Sequence, residues 1–283
     1  MKQLLGFFKL YRIDSFLITI LSFTVTLLIV KGELFSLKAI ALGLSLGVIF
    51  VNFIYSINSF YDAEIDAINK PSRPIPSGLI SKKMAAIYIA ILGVLSLLFP
   101  FFYISQKPVF YALYSFPVLG ILYSNPLIPL KKRALFAPLL TTLIVILPAT
   151  MALLYSNNIA AYWHFVVALF FYALVLVPLK DIEDVKGDHA FNSDNWAHIA
   201  GERRLLVFSM TGLALLTITS FAFYKVVGLI LFSGVFLCSF CVELYFFLYK
   251  DSLGKLYKTL ILSNLVLLVT GTCGFIIKSF IHD

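Results

Sequence analysis

The chain has 283 residues, of which 61% are hydrophobic and 13% charged, against about half and about a quarter in an average soluble domain. That composition excludes an ordinary soluble domain, and the apolar runs are too long and too little alternating for barrel strands. The net charge of +8 needs no nucleic-acid partner, because loops rich in Lys and Arg facing anionic lipid headgroups account for it.

The predicted fold is therefore an all-α polytopic membrane protein, a single domain over 1–283. Apolar stretches long enough to cross roughly 30 Å of hydrocarbon place nine transmembrane helices near 15–30, 39–57, 85–104, 108–123, 134–154, 163–179, 205–224, 227–249 and 259–277. With the N-terminus in the cytoplasm, 17 of the 22 Lys and Arg residues fall on the cytoplasmic side, and only Lys31, Lys38, Lys107, Lys225 and Lys278 face the other. This bias sets the orientation. It makes the cytoplasmic face, which carries the long loops 58–83, 125–133 and 180–204, the working face of a multi-pass protein of the cell membrane. The first apolar stretch is long and no small-residue cleavage site follows it, so no cleavable signal peptide is expected.

The second span runs into NSFYDAEID. Asn58, Asp62 and Asp66 are spaced i, i+4, i+8, which keeps them on one helical face with a rise of roughly 6 Å between neighbours. The sixth span runs into KDIEDVKGD, where Asp181, Asp184 and Asp188, spaced i, i+3, i+7, do the same. Glu64 and Glu183 fall on the opposite sides and are expected to be solvated. A carboxylate at the bilayer centre costs about 2.5–3.5 kcal/mol on insertion scales, so acids beside apolar spans call for cations. Hard oxygen donors without nearby His or Cys suit Mg²⁺, whose shell is completed by water and substrate phosphates. Solvated acids paired with Lys70, Arg73, Lys180 and Lys186 would explain one such run. Two runs matched in spacing and depth favour one cavity between them.

The loop after the fourth span places Tyr123 and Ser124 ahead of Lys131, Lys132 and Arg133, and Arg12 precedes the first span. Hydroxyls and cations at this level reach phosphate oxygens, although Lys131 to Arg133 serve equally well as cytoplasmic anchors. Acids on two helices, basic loops and an apolar interior describe a site for an amphiphile with a diphosphate head and a hydrocarbon tail.

These motifs resemble the UbiA superfamily of intramembrane prenyltransferases, and the resemblance covers almost the whole chain. Asn58-x-x-x-Asp62-x-x-x-Asp66 is similar to that family's first Asp-rich motif, with RPIPSG following at Arg73 to Gly78. Asp181-x-x-Asp184-x-x-x-Asp188 is similar to the second. The resemblance implies nine helices around a central cavity open to the cytoplasm. It implies catalysis by Asn58, Asp62, Asp66, Asp181, Asp184 and Asp188, with Mg²⁺ on Asn58, Asp62, Asp66, Asp184 and Asp188. It also implies a prenyl diphosphate held by Arg12, Lys70, Arg73, Tyr123, Ser124, Lys131 and Arg133. Within the superfamily the wording most resembles the branch that geranylgeranylates geranylgeranylglyceryl phosphate in making archaeal-type lipids. Chlorophyll synthases share the first phrase, and quinone-pathway members stand further off.

The chain departs from the family pattern twice. Ser59 follows Asn58 where the family has Asp, and Asn192 with Asn195-Trp196-Ala197 replaces a Gly and a Thr-Leu-Pro, before Gly201 returns in register. The second change leaves the acceptor open between a prenylglyceryl phosphate and an aromatic quinone or chlorophyll precursor, and keeps an intramembrane terpene cyclase as an alternative. A transporter would instead need its acids near the bilayer midplane. Glu243, inside the eighth span, is either functional or paired with a neighbouring helix. Cys238 and Cys241 form C-x-x-C without a second ligand pair and read as packing residues.

Overall fold

The computed structural model describes residues 2–31, 36–128, 130, 133, 136–190, 196–223, 226–249, 255–257, 259–260 and 262–263, with side chains for all but 2–4, 186–189, 220–223, 226–233 and 249. Among these there is no strand. The helices are α1 (Lys2–Leu10), α2 (Ile13–Lys31), α3 (Leu37–Ser45), α4 (Asn52–Tyr61), α5 (Ala63–Asn69), α6 (Lys82–Leu98), α7 (Lys107–Leu113) and α8 (Ser115–Ser124). They continue with α9 (Phe136–Ser156), α10 (Ile159–Leu176), α11 (Asp181–Ala190), α12 (Trp196–Ala200), α13 (Glu202–Phe223) and α14 (Val226–Tyr249).

Five stretches are long and apolar enough to cross a membrane: Ile13–Lys31, Leu37–Tyr61, Lys82–Tyr103, Phe136–Ser156 and Ile159–Val185. They coincide with five of the expected spans. α13 and α14 cover the ranges of two more, and most of the ninth lies outside the described residues. The fourth expected span, 108–123, is not one helix. It is broken at Tyr114 into α7 and α8, where Ser115 turns its hydroxyl back to the Ala112 carbonyl at 2.6 Å and Pro117 brings no amide hydrogen to the ladder.

By its internal contacts the chain divides into two compact units, Met1–Val166 with Lys186–Ser193, and Val167–Val185 with Asp194–Asp283. In the first unit, α2 approaches α3 closely at Gly43 and the residues just after α3 at Gly47. A Cβ there would lie 2.9 Å from Phe23 Cδ1 and 2.5 Å from Phe16 Cδ2, the small-xxx-small solution for membrane helices. A π-helical turn, Leu46–Val51, joins α3 to α4. Phe23, Leu42, Leu46, Phe50, Phe116 and Met151 lie in its apolar core.

Hydrogen bonds between span ends give this unit an alternating run. Tyr103 donates to the Lys38 carbonyl at 2.7 Å, the Ser36 and Tyr155 hydroxyls lie 2.9 Å apart, and Asn158 reaches the Val30 carbonyl at 3.5 Å. The second and fourth spans thus start at one level and run the same way, so α4 and α8 finish at the same end. In the second unit, Val175, Leu179, Leu205, Leu213, Phe246 and Leu256 form the core. α13 and α14 pack along each other.

Candidate active site

α4 does not stop cleanly at Asp62. The residue leaves regular helical geometry, at φ −86° and ψ 5°, yet amide bonds run on from Asp62 to Asn58 (2.9 Å), Asp66 to Asp62 (2.8 Å) and Lys70 to Asp66 (2.8 Å). The i, i+4 relation therefore survives into α5. Asn58 donates its side-chain amide to Asp62 Oδ2 at 2.8 Å, Asp62 and Asp66 are buried, and Glu64 is exposed. All three site residues lie at or beyond the end of the Leu37–Tyr61 span, away from its middle, which disfavours a midplane ion site.

Cations approach this stripe from both sides. The Arg73 guanidinium donates to Asp66 Oδ2 at 2.5 Å, a charge-assisted contact made as the loop after α5 folds back on itself. At the other end Arg12 takes φ 45° between α1 and α2, an uncommon conformation for a non-glycine residue. That turn sets its guanidinium 4.5 Å from the centre of the Tyr55 ring, one helical turn before Asn58, and 3.4 Å from Asp14 Oδ2.

α8 brings the hydroxyls. A Cβ at Gly120 would lie 2.9 Å from Ile54 Cγ1 and 3.4 Å from its Cα, so α8 crosses α4 almost backbone to backbone. The two helices run in the same direction. Four residues on, Ser124 therefore stands at the level of Asn58, buried, with Oγ lacking a hydrogen-bond partner among the described residues. Tyr123 beside it is buried too. Lys70 is half-buried and Arg133 exposed, while Lys131 and Lys132 lie outside the described residues.

The second motif opens α11 after a 3₁₀ turn, Val177–Lys180. Asp181 and Asp184 are half-buried, and the Asp188 side chain lies outside those described. Glu183 departs from expectation: it is half-buried, and its Oε1 is shielded from solvent with no hydrogen-bond partner among the described residues. Ile182 inserts into the core of the second unit. Residues 191–195 of the altered loop are outside the description. Trp196 stacks on Phe208, with centroids 6.4 Å apart, and Gly201 takes φ 80°, a turn that glycine tolerates without strain.

Sequence reasoning missed the polar seam of the second unit. Glu243 is fully buried and accepts from the Ser209 hydroxyl at 2.8 Å, while Oε2 has no partner among the described residues. One turn earlier, the Ser239 and Tyr172 hydroxyls lie 2.8 Å apart. Glu243 is thus paired with a neighbouring helix, one of its two expected roles. Cys238 and Cys241 are free thiols. Among the described residues no three Asp, Glu, His or Cys side chains gather at one point. The first stripe offers two carboxylates and an amide and the second two carboxylates, all hard oxygen donors.

The UbiA prenyltransferase family model matches residues 16–273. The chain belongs to the UbiA prenyltransferase family. Among its curated relatives, a digeranylgeranylglyceryl phosphate synthase of Methanothermobacter thermautotrophicus is 32% identical over 172 residues, 59% of this chain and 58% of that protein. A 2-acylphloroglucinol 4-prenyltransferase of Humulus lupulus is 31% identical over 173 residues, 56% of this chain and 40% of that one. The matched region thus spans less than two thirds of either relative. Among solved structures, a UbiA homolog from Archaeoglobus fulgidus bound to GPP and Mg²⁺ superposes with a TM-score of 0.71 at 20% identity, over 96% of this chain and 99% of that one. That likeness establishes a UbiA membrane fold.

Proposed function

We propose that this UbiA protein transfers a prenyl group, geranylgeranyl in the first instance, from its diphosphate to a lipophilic acceptor of the prenylglyceryl phosphate type. The observation that carries the reading is the Asn58–Asp62–Asp66 stripe, its two carboxylates buried, with Arg73 bonded to Asp66 and Arg12 one turn from Asn58. The synthase relative supports the acceptor class, and the hop relative, named for an aromatic substrate, keeps aromatic acceptors in view.

The donor set fits Mg²⁺, as expected of a UbiA protein. Asn58, Asp62 and Asp66 would hold it from the first motif, Asp184 and Asp188 from the second, with Asp181 beside them. When bound, Mg²⁺ supplies charge neutralisation that makes diphosphate a better leaving group. Arg12, Lys70, Arg73, Lys131 and Arg133 add positive charge around the phosphate oxygens, and Tyr123 and Ser124 offer hydroxyl donors. Ser124 Oγ, buried and unsatisfied, is set to donate to such an oxygen without first breaking another bond. The allylic C1–O bond to diphosphate breaks, the acceptor oxygen bonds to C1, and the acceptor's proton is released.

The reading places the site in a central cavity of nine transmembrane helices, open to the cytoplasmic side of the cell membrane, in one domain over 1–283. Its test is incubation of the purified protein with Mg²⁺ and labelled geranylgeranyl diphosphate, alone and with geranylgeranylglyceryl phosphate or an aromatic acceptor. Acceptor-dependent release of diphosphate with a prenylated lipid product supports it. A cyclic hydrocarbon or alcohol formed without acceptor overturns it in favour of a cyclase.

A further inference from the structure

α1 touches the loop that carries Arg73 at Gly6. A Cβ on Gly6 would lie 2.9 Å from the Leu79 carbonyl oxygen, 3.0 Å from its carbon and 3.2 Å from Ile80 Cβ. The close contact is to backbone, so no side-chain rotation relieves it. Leu10, Ile80 and Ala85 are fully buried in one cluster, with Phe7 and Tyr88 packed against it. The Phe7 and Tyr88 ring centroids are 5.4 Å apart.

From Ile80 the loop is braced back to Arg73. The Ile80 amide bonds to the Pro74 carbonyl at 3.1 Å, the Ser77 amide to the Arg73 carbonyl at 3.0 Å, and the Arg73 amide to the Lys70 carbonyl at 2.9 Å. The Ser77 hydroxyl also donates to the Arg73 carbonyl at 2.6 Å. We infer that α1 is a strap and Gly6 a positioning residue: contact from Gly6 through Leu79, Ile80 and Pro74 fixes Arg73 against Asp66 and so sets the diphosphate end of the site. This rests on the functional reading above, in which Arg73 and Asp66 belong to that site.

Gly6→Ala puts a methyl group where the Leu79 carbonyl stands, so α1 or the loop must shift. Arg73 binds the diphosphate in substrate and transition state alike, so its displacement weakens uniform binding, which is read in KM and not in kcat. The expected result is a rise of about tenfold in KM for geranylgeranyl diphosphate, with kcat and the acceptor KM changed less than about twofold. Phe8→Ala, on the exposed face of α1, leaves all three unchanged. The deciding measurement is a double-mutant cycle with Arg73→Ala, in which Gly6→Ala adds less than about twofold to KM once Arg73 is gone. If Gly6→Ala does not purify folded, Leu10→Ala takes its place in the cycle. Equal effects with and without Arg73, or a lowered thermal midpoint with KM untouched, overturn the strap. A wild-type protein that turns over no prenyl diphosphate sinks the enzymatic reading instead. The same cycle read in thermal midpoints then decides the strap, which requires Gly6→Ala to cost stability only while Arg73 is present.

Discussion

Replacing Arg73 by Ala removes the guanidinium partner of the Asp66 carboxylate, which is buried at 5% exposure. A hydrogen bond to a charged group contributes about 1.5–3 kcal/mol, and removing one member of a buried pair costs about 3–5 kcal/mol. Arg73 keeps 23% of its side chain exposed, so water reaches the vacated site and the lower range applies, about 2–3 kcal/mol. In a chain of this size that corresponds to a fall of roughly 4–12 °C in thermal midpoint, measured in detergent without metal. Millimolar Mg²⁺ then separates a structural ion pair from a ligand site. If Asp66 also holds the metal, the cation replaces the lost positive charge, and Mg²⁺ raises the midpoint of Arg73→Ala more than that of the wild type. A midpoint within about 2 °C of wild type without metal, or an Mg²⁺ response the same in both proteins, refutes the reasoning.

Three further outcomes follow from particular contacts. Ser124→Ala should raise KM for the prenyl diphosphate by roughly 3–10-fold while leaving the thermal midpoint equal or higher, because the hydroxyl it removes is buried and unsatisfied; parallel kinetic and melting curves check both. Glu243→Gln keeps an acceptor for Ser209 and should melt within about 2 °C of wild type, whereas Glu243→Leu, which strands the Ser209 hydroxyl, should lose about 1–3 kcal/mol. Gly47→Ala drives a methyl into the Phe16 ring and should destabilise the protein by about 1–3 kcal/mol, seen as a lower midpoint with KM values unchanged.

Much of the first stripe was legible because i, i+4 spacing depends only on local helical geometry. Asn58, Asp62 and Asp66 stay together even though Asp62 itself leaves the regular helix, since the amide ladder continues through it. The five long spans were legible for the same reason, as runs of apolar residues in sequence. What escaped were features set by distant partners. Arg12 reaches Tyr55 only through an unusual turn between α1 and α2. The half-burial of Glu183 escaped, as did the identity of Ser209 as the helix partner of Glu243. The break at Tyr114 escaped as well, because α7 and α8 form one hydrophobic run whose division depends on local backbone bonding. A Pro-containing apolar run was the available signal for that break, and a Tyr one turn before the motif was the signal for the Arg12 contact.

The central claim is that the two Asp stripes hold the diphosphate through a divalent cation. Its most direct test is the Mg²⁺-dependent turnover of labelled geranylgeranyl diphosphate by wild type, Asp62→Ala and Asp184→Ala, each shown to be folded. Either substitution is expected to lower turnover by about 10²-fold or more, and chelation to abolish it in the wild type. Turnover untouched by both substitutions would contradict the claim.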